Sequence, residues 1–166
     1  KMILEQREFD FHKLIDKVVT MNSESIEEKG LKLIVNVADD IPKRVIGDEF
    51  RLAQILNNII SNAIKFTTVG QIAIEVAKIA EDSTHVELFF MVIDTGIGIA
   101  PEEMDRIFQS FTQVDGSFTR RYGGTGVGLP ITKLLIEAMN GTITVESEKD
   151  QGSIFSFNIS LGLPKG

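Results

Sequence analysis

Residues 48–67 read DEFRLAQILNNIISNAIKFT. Within them Leu52, Ile55, Leu56, Ile59, Ile60, Ala63 and Ile64 recur with 3-1-3-1-3-1 spacing. That period places an apolar stripe about 100° wide along one side of an α-helix. Asp48 stands where its carboxylate can cap the first free N–H groups. A helix with so wide a stripe needs an apolar surface to cover, and the flanking sequence supplies one. From Gly70, Ile72, Ile74 and Val76 alternate as in a strand, and Val86 to Ile93 is apolar at nearly every position. The second run is expected to be a central strand covered on both faces.

Working outward, Leu14, Ile15, Val18, Val19 and Met21/Ile26 give a further amphipathic helix from Phe11 to about Lys29, stopped by Gly30. Leu31, Leu33, Val35 and Val37 alternate as a strand, and Ile41-Pro42 opens a loop that runs to Asp48. Pro101 to Phe108 is expected as a short helix. Ile131, Leu134, Leu135, Ala138 and Met139 mark a final helix stopped by Gly141, and Thr142–Ser147 with Ile154–Leu161 form a closing hairpin. Helices do not separate every pair of strands. The expected class is therefore α+β, a two-layer α/β sandwich. It has a mixed, mostly antiparallel five-stranded sheet with about three helices on one face. Residues 1–8 are polar and are expected to end an upstream helix or linker, with the domain itself over residues 9–166.

Composition narrows the function classes. The chain has 166 residues, enough for one core, with 43% hydrophobic and 25% charged residues. Its net charge of −7 argues against nonspecific nucleic-acid binding. With no cysteine, it has neither disulfides nor thiolate chemistry. The longest apolar run, Leu88 to Ile93, is far below the ~20 residues of a membrane helix, and the first ten residues carry five charges, unlike a secretory signal. The chain opens on Lys1, as expected for a piece of a longer protein.

Three constellations carry chemistry. Asn58, Asn62 and Lys65 share one line on the polar side of the 48–67 helix. One reading is a solvated face. The other is a carboxamide oxygen for Mg²⁺, a hard cation that prefers oxygen, with Lys65 meeting phosphate as a point charge. Asp94 ends the buried strand and is followed by Thr-Gly-Ile-Gly. It either closes a strand at a turn or accepts a hydrogen bond from the exocyclic amine of adenine, with Gly96 and Gly98 letting the chain approach a flat base. Gly123-Gly-Thr-Gly-Val-Gly128 runs straight into a helix. This is a flexible loop, or a set of free N–H groups at a helix N-terminus that favours phosphate. It is neither a Rossmann turn nor a P-loop, because it follows a polar loop and no Gly-Lys-Ser/Thr appears.

Taken in order, these stretches resemble the sequence boxes of sensor histidine kinases. Asn58-Ile-Ile-Ser-Asn62-Ala-Ile-Lys65-Phe-Thr67 resembles the N box, and Asp94-Thr-Gly96-Ile-Gly98-Ile99 the G1 box. Phe108-Gln-Ser-Phe111-Thr-Gln resembles the F box, and Gly124-Thr125-Gly126-Val127-Gly128-Leu129 the G2 box. The likeness runs from about Phe9 to Leu161 and is greatest to hybrid kinases.

It implies the Bergerat fold and ATP with Mg²⁺ as ligands. By resemblance, Asn62 ligates the metal, Asn58 lies beside it, and Lys65 faces the phosphates. Asp94 reads adenine. Gly96, Gly98 and Ile99 line the base pocket, with Phe108, Thr125, Gly126, Val127, Gly128 and Leu129 around the nucleotide. Arg120 is the expected γ-phosphate partner, because Gln113 stands where some members carry an arginine. Pro130 replaces a frequent alanine, and a first-turn proline is compatible with a normal helix.

The implied activity is transfer of the γ-phosphoryl group to a histidine on a helical dimerisation domain, with a response regulator or receiver domain downstream. Related ATPases that hydrolyse carry glutamate at the position of Asn58, and a carboxamide cannot act as a general base at neutral pH. A degenerate regulatory module that binds nucleotide or a partner, or another ATPase of the superfamily, is the alternative. His12 lacks the acidic neighbour of the family's acceptor histidine and His85 lies in a turn between strands, so this chain is expected to bind ATP as a monomer in the cytoplasm without phosphorylating itself. The parent protein is compatible with a membrane anchor.

Overall fold

The computed structural model describes residues 3–96, 128–148 and 150–165. In chain order they form β1 (Arg7–Asp10), α1 (Phe11–Glu28), β2 (Lys32–Val37), β3 (Arg44–Gly47), α2 (Glu49–Phe66), β4 (Gln71–Glu81), β5 (His85–Asp94), α3 (Gly128–Ala138), β6 (Ile143–Glu148) and β7 (Gly152–Gly162). The expected helix Pro101–Phe108 lies outside the described residues.

The strands make one seven-stranded sheet in the order β1-β3-β7-β5-β4-β2, with β6 also paired to β7. Only β2 and β4 run parallel; the pairs β1–β3, β4–β5, β5–β7 and β6–β7 are antiparallel. The sandwich class is as expected, but two strands more than the expected five are present. One falls at the edge of the expected helix end or linker: residues 3–6 have no regular structure, and Arg7–Asp10 pairs with β3. The other, Arg44–Gly47, lies inside the expected loop. Both are four residues long and held by backbone bonds, so their exposed side chains can be polar. Arg44 Nε meets Glu8 Oε2 at 2.9 Å across that pair.

α2 forms as its period requires. All seven stripe residues, Leu52, Ile55, Leu56, Ile59, Ile60, Ala63 and Ile64, are buried. Asp48 caps it, accepting from Arg51 N at 3.0 Å. Its second oxygen accepts from Glu5 N at 3.0 Å, which fastens the segment leading into β1 to the helix start. α1 buries Phe11, Leu14, Ile15, Val18 and Ile26, whereas Met21, placed on the same stripe from sequence, is exposed. Beyond α1, Gly30 takes the left-handed conformation (φ 68°), and Gly30 N and Leu31 N donate to Glu27 O and Ile26 O. This is a Schellman-type stop that a side chain would strain.

The helices cover one face of the sheet. Along β5, Val86, Leu88, Phe90 and Val92 are buried, while Phe89, Met91 and Ile93 between them are only half-buried. The expectation that both faces of this strand are covered is therefore corrected. Its outward residues keep part of their surface open. In the core Phe90 stacks on Phe157 at 4.5 Å between ring centres and lies 6.1 Å from Phe11, so one aromatic column joins β7, β5 and α1. Among the described residues no helix is long and apolar enough to cross a membrane.

Candidate functional site

The polar line of α2 faces away from its apolar stripe. Asn58 and Asn62 are half-buried and Lys65 is exposed. Asn58 Nδ2 donates to Thr132 Oγ1 at 3.1 Å, and Thr132 is fully buried on α3. This bond sets the helix that begins at Gly128 alongside α2. It brings the first turns of α3 against α2 at Asn58. Leu129 is buried there, and Pro130 sits in the first helical turn without breaking α3. Asn57 belongs to a different contact. Its Oδ1 accepts from Asn22 Nδ2 at 2.9 Å, linking α2 to α1.

Asp94 ends β5 on the helix-covered face and is 5% exposed. Two backbone N–H groups and a hydroxyl surround its carboxylate. Gly96 N approaches Oδ1 at 2.8 Å, Ser153 N–H comes from the paired strand β7, and the Thr67 hydroxyl comes from the end of α2. Burial pushes the Asp94 carboxyl above the ordinary carboxylate range, and these three groups pull it back only in part. Thr67 is fully buried, and its hydroxyl lies against the carboxylate at a geometry short of a full hydrogen bond.

The turn after Asp94 is packed to its limit. A Cβ on Gly96 would lie 2.2 Å from Phe66 O, and one on Gly152, where φ is 118°, would lie 2.1 Å from Asp94 O. Glycine is required at both places so that the ends of α2, β5 and β7 can meet. A cavity of about 440 Å³ opens beside Asp94, Thr95, Ser147 and Gly152.

Of the residues singled out from sequence, the structure therefore places Asn58, Asn62 and Lys65 along α2, Asp94 and Gly96 at its C-terminal end, and Gly128 and Leu129 at the start of α3. Gly98, Ile99, Phe108, Arg120, Thr125, Gly126 and Val127 lie outside the described residues. Sequence reading assigned no role to Thr67, which it quoted only as the end of the N-box resemblance, nor to Thr132 or Ser153. Thr67 immediately follows the Asn-Lys line and could have been flagged, whereas Thr132 meets Asn58 only through tertiary packing. The histidines take structural places. His12 Nε2 lies 3.3 Å from Ile41 O, and His85 Nδ1 lies 2.9 Å from the Thr84 hydroxyl.

Residues 47–163 match the family described as histidine kinase-, DNA gyrase B-, and HSP90-like ATPase. The catalytic domain of the histidine kinase ThkA, in a nucleotide-free form, superposes with a TM-score of 0.71 at 30% identity, covering 94% of this chain and 97% of that one. The chain belongs to this family as a histidine kinase ATP-binding domain. Full-length ShkA in complex with AMPPNP also superposes, with a TM-score of 0.81 at 34% identity, over 99% of this chain and 33% of that one.

Among named relatives, this histidine kinase domain is 46% identical over 163 residues to the signal transduction histidine-protein kinase BarA of Escherichia coli (strain K12). It is 44% identical over 164 residues to the hybrid signal transduction histidine kinase B of Dictyostelium discoideum. The matches take in 98% and 99% of the chain but only 18% and 8% of those relatives' lengths.

Proposed function

We propose that this domain binds Mg-ATP and donates the γ-phosphoryl group to a histidine nitrogen of a separate helical domain in two-component signalling. The observation that carries the reading is the buried Asp94 carboxylate at the end of the helix that bears Asn58, held by the backbone N–H groups of Gly96 and Ser153 with the Thr67 hydroxyl packed beside it. A carboxylate fixed in this way is an acceptor matched to the exocyclic amine of adenine and repels a carbonyl at the same place. That Asn58 is an amide, already donating to Thr132, supports transfer over hydrolysis, because no general base stands there to activate water.

In this reading Asp94 and Gly96 hold the base, Gly128 and Leu129 begin the helix under the phosphates, and Lys65 offsets phosphate charge. Gly98, Ile99, Phe108, Arg120, Thr125, Gly126 and Val127 join them on their sequence positions alone. Among the described residues no three His, Asp or Glu side chains gather as a metal site. The amide oxygen of Asn62 fits a hard cation as a single protein ligand beside nucleotide oxygens, and Mg²⁺ held there would neutralise phosphate charge. The acceptor nitrogen lone pair forms a bond to the γ-phosphorus, the bond from that phosphorus to the β,γ-bridging oxygen breaks, ADP leaves with that oxygen, and the imidazole's other nitrogen releases its proton to solvent. The protein's part is positioning and charge neutralisation. The acceptor domain and a receiver or response regulator are the partners, and the cytoplasm is the compartment.

The test is isothermal titration of an ATP analogue into the domain and its Asp94→Asn variant, followed by labelling of a supplied cognate helical domain with γ-labelled ATP. Unchanged affinity in the variant would reject the base site. Tight Mg-ATP binding with no label on the helical domain would reject transfer and favour a regulatory nucleotide-binding module.

A further inference from the structure

α2 ends in a way that leaves its last carbonyls to a neighbour. Its C-cap, Thr67, is extended (φ −111°, ψ 109°) rather than left-handed; its own N–H reaches Ile64 O at 3.4 Å, and no left-handed cap residue folds back onto the carbonyls that follow. The neighbour is Lys29 at the end of α1. Its Nζ donates to Ile64 O, to Lys65 O at 3.2 Å and to Thr67 O at 3.3 Å. An ammonium has three protons and here it meets three acceptors. Its charge also lies at the negative end of the α2 dipole.

What Lys29 fixes is the ground on which Asp94 stands. The residues between those carbonyls are the ones that touch the turn after β5. Phe66 O is where a Cβ on Gly96 would collide, at 2.2 Å, and the Thr67 hydroxyl lies against the Asp94 carboxylate. The same cation holds the carbonyl of Lys65 itself, at the root of a side chain on the polar line of α2.

We propose that Lys29 is a positioning residue for the nucleotide site: by binding the carbonyls of Ile64, Lys65 and the cap residue Thr67 it sets Thr67 and Gly96 so that Asp94 presents its carboxylate to the base. This rests on the reading of Asp94 given above. Lys29 is itself on the surface. When its ammonium is removed, water solvates the freed carbonyls and the domain stays folded. What is lost is the register between the end of α2 and the β5 turn.

The experiment compares the unaltered chain with Lys29→Met, Lys29→Arg and Asp94→Asn. Affinity is titrated for an ATP analogue and for the corresponding GTP analogue, and thermal melting is recorded for each. In Lys29→Met, affinity for the ATP analogue falls about tenfold, the scale on which outer-shell partners act, and the preference for ATP over GTP narrows. Lys29→Arg, which keeps charge and donors, restores most of both and guards against a Met variant that fails to fold. Unchanged affinity and preference in Lys29→Met overturn the proposal. So does a loss of melting temperature and affinity with the base preference intact, since that is a purely structural role. If Asp94→Asn itself leaves affinity unchanged, the base-site reading has failed instead, and the two failures are told apart.

Discussion

Gly96→Ala tests the site with the smallest possible change. A Cβ there would lie 2.2 Å from Phe66 O, 2.8 Å from its carbonyl carbon and 3.0 Å from Asp94 Oδ1. Carbon–oxygen contacts between backbone segments settle near about 3.3–3.6 Å, so the turn must retreat from α2 by roughly 1 Å. Neither side can yield cheaply, because Phe66 belongs to the last turn of α2 and Asp94 is paired with both β4 and β7. Gly96 is not in the left-handed region, so alanine meets no conformational penalty and the effect is one of space alone.

Overpacking of this kind costs about 1–3 kcal/mol, which lowers the melting temperature by several degrees in a domain of this size. The larger effect falls on binding, where a shift of about 1 Å at a positioned group can cost on the order of 100-fold. Calorimetric titration of an ATP analogue, beside a thermal melt of the same samples, reads both numbers. A variant that binds as tightly as the parent despite a lowered melting temperature shows that the turn is not part of the base site. One that matches the parent in both shows that α2 and the β5 turn are not packed as described.

Further predictions concern pH, metal and the helix cap. Asp94 has a raised carboxyl pKa in the free domain, so nucleotide affinity stays flat at high pH and falls as pH drops through that raised value, well before an ordinary carboxylate titrates; Asp94→Asn lacks the fall. The same shift makes Asp94's contribution to stability full below the ordinary value of 3.8 and lost as pH rises through the folded value. Melting of the parent relative to Asp94→Asn therefore declines across that window. Asn62→Ala weakens the Mg²⁺-dependent part of ATP-analogue affinity and leaves the affinity measured in chelator unchanged, read by titration in the two buffers. Asp48→Ala removes a cap that serves both Arg51 N and Glu5 N. It costs about 1–2 kcal/mol in denaturant unfolding while affinity for nucleotide holds.

The sequence was most legible where one element carries its own signal. The stripe on α2 and its Asp48 cap are local patterns, and the structure has both. Asp94 stood out because a charged residue ends an apolar run. β1 and β3 gave no such signal, since four residues pairing through backbone bonds show too little alternation to register. The apolar run of β5 misled for the opposite reason. Phe89, Met91 and Ile93 are apolar on a face no described helix covers, and hydrophobicity alone does not distinguish a covered face from one left partly open. The partners of the site residues were hidden in a further sense. Asn58 meets Thr132 across 74 positions, and Lys29 meets Lys65 across 36. Such meetings follow from topology rather than from any local pattern.

The packing of Gly152 and Ser153 onto Asp94 carries a consequence for how the domain matures. The carboxylate's setting draws on α2, on β5 and on the last strand of the chain, so a nascent or clipped product lacking the final hairpin has no finished site to offer. On the proposed reading of Asp94, nucleotide then discriminates between domains with and without that hairpin. Its binding energy, about 2.7 kcal/mol when free ligand is 100 times its dissociation constant, is added to unfolding of the whole domain rather than to a local opening. A titration end-point would in effect count the molecules in a preparation that have closed their last strand.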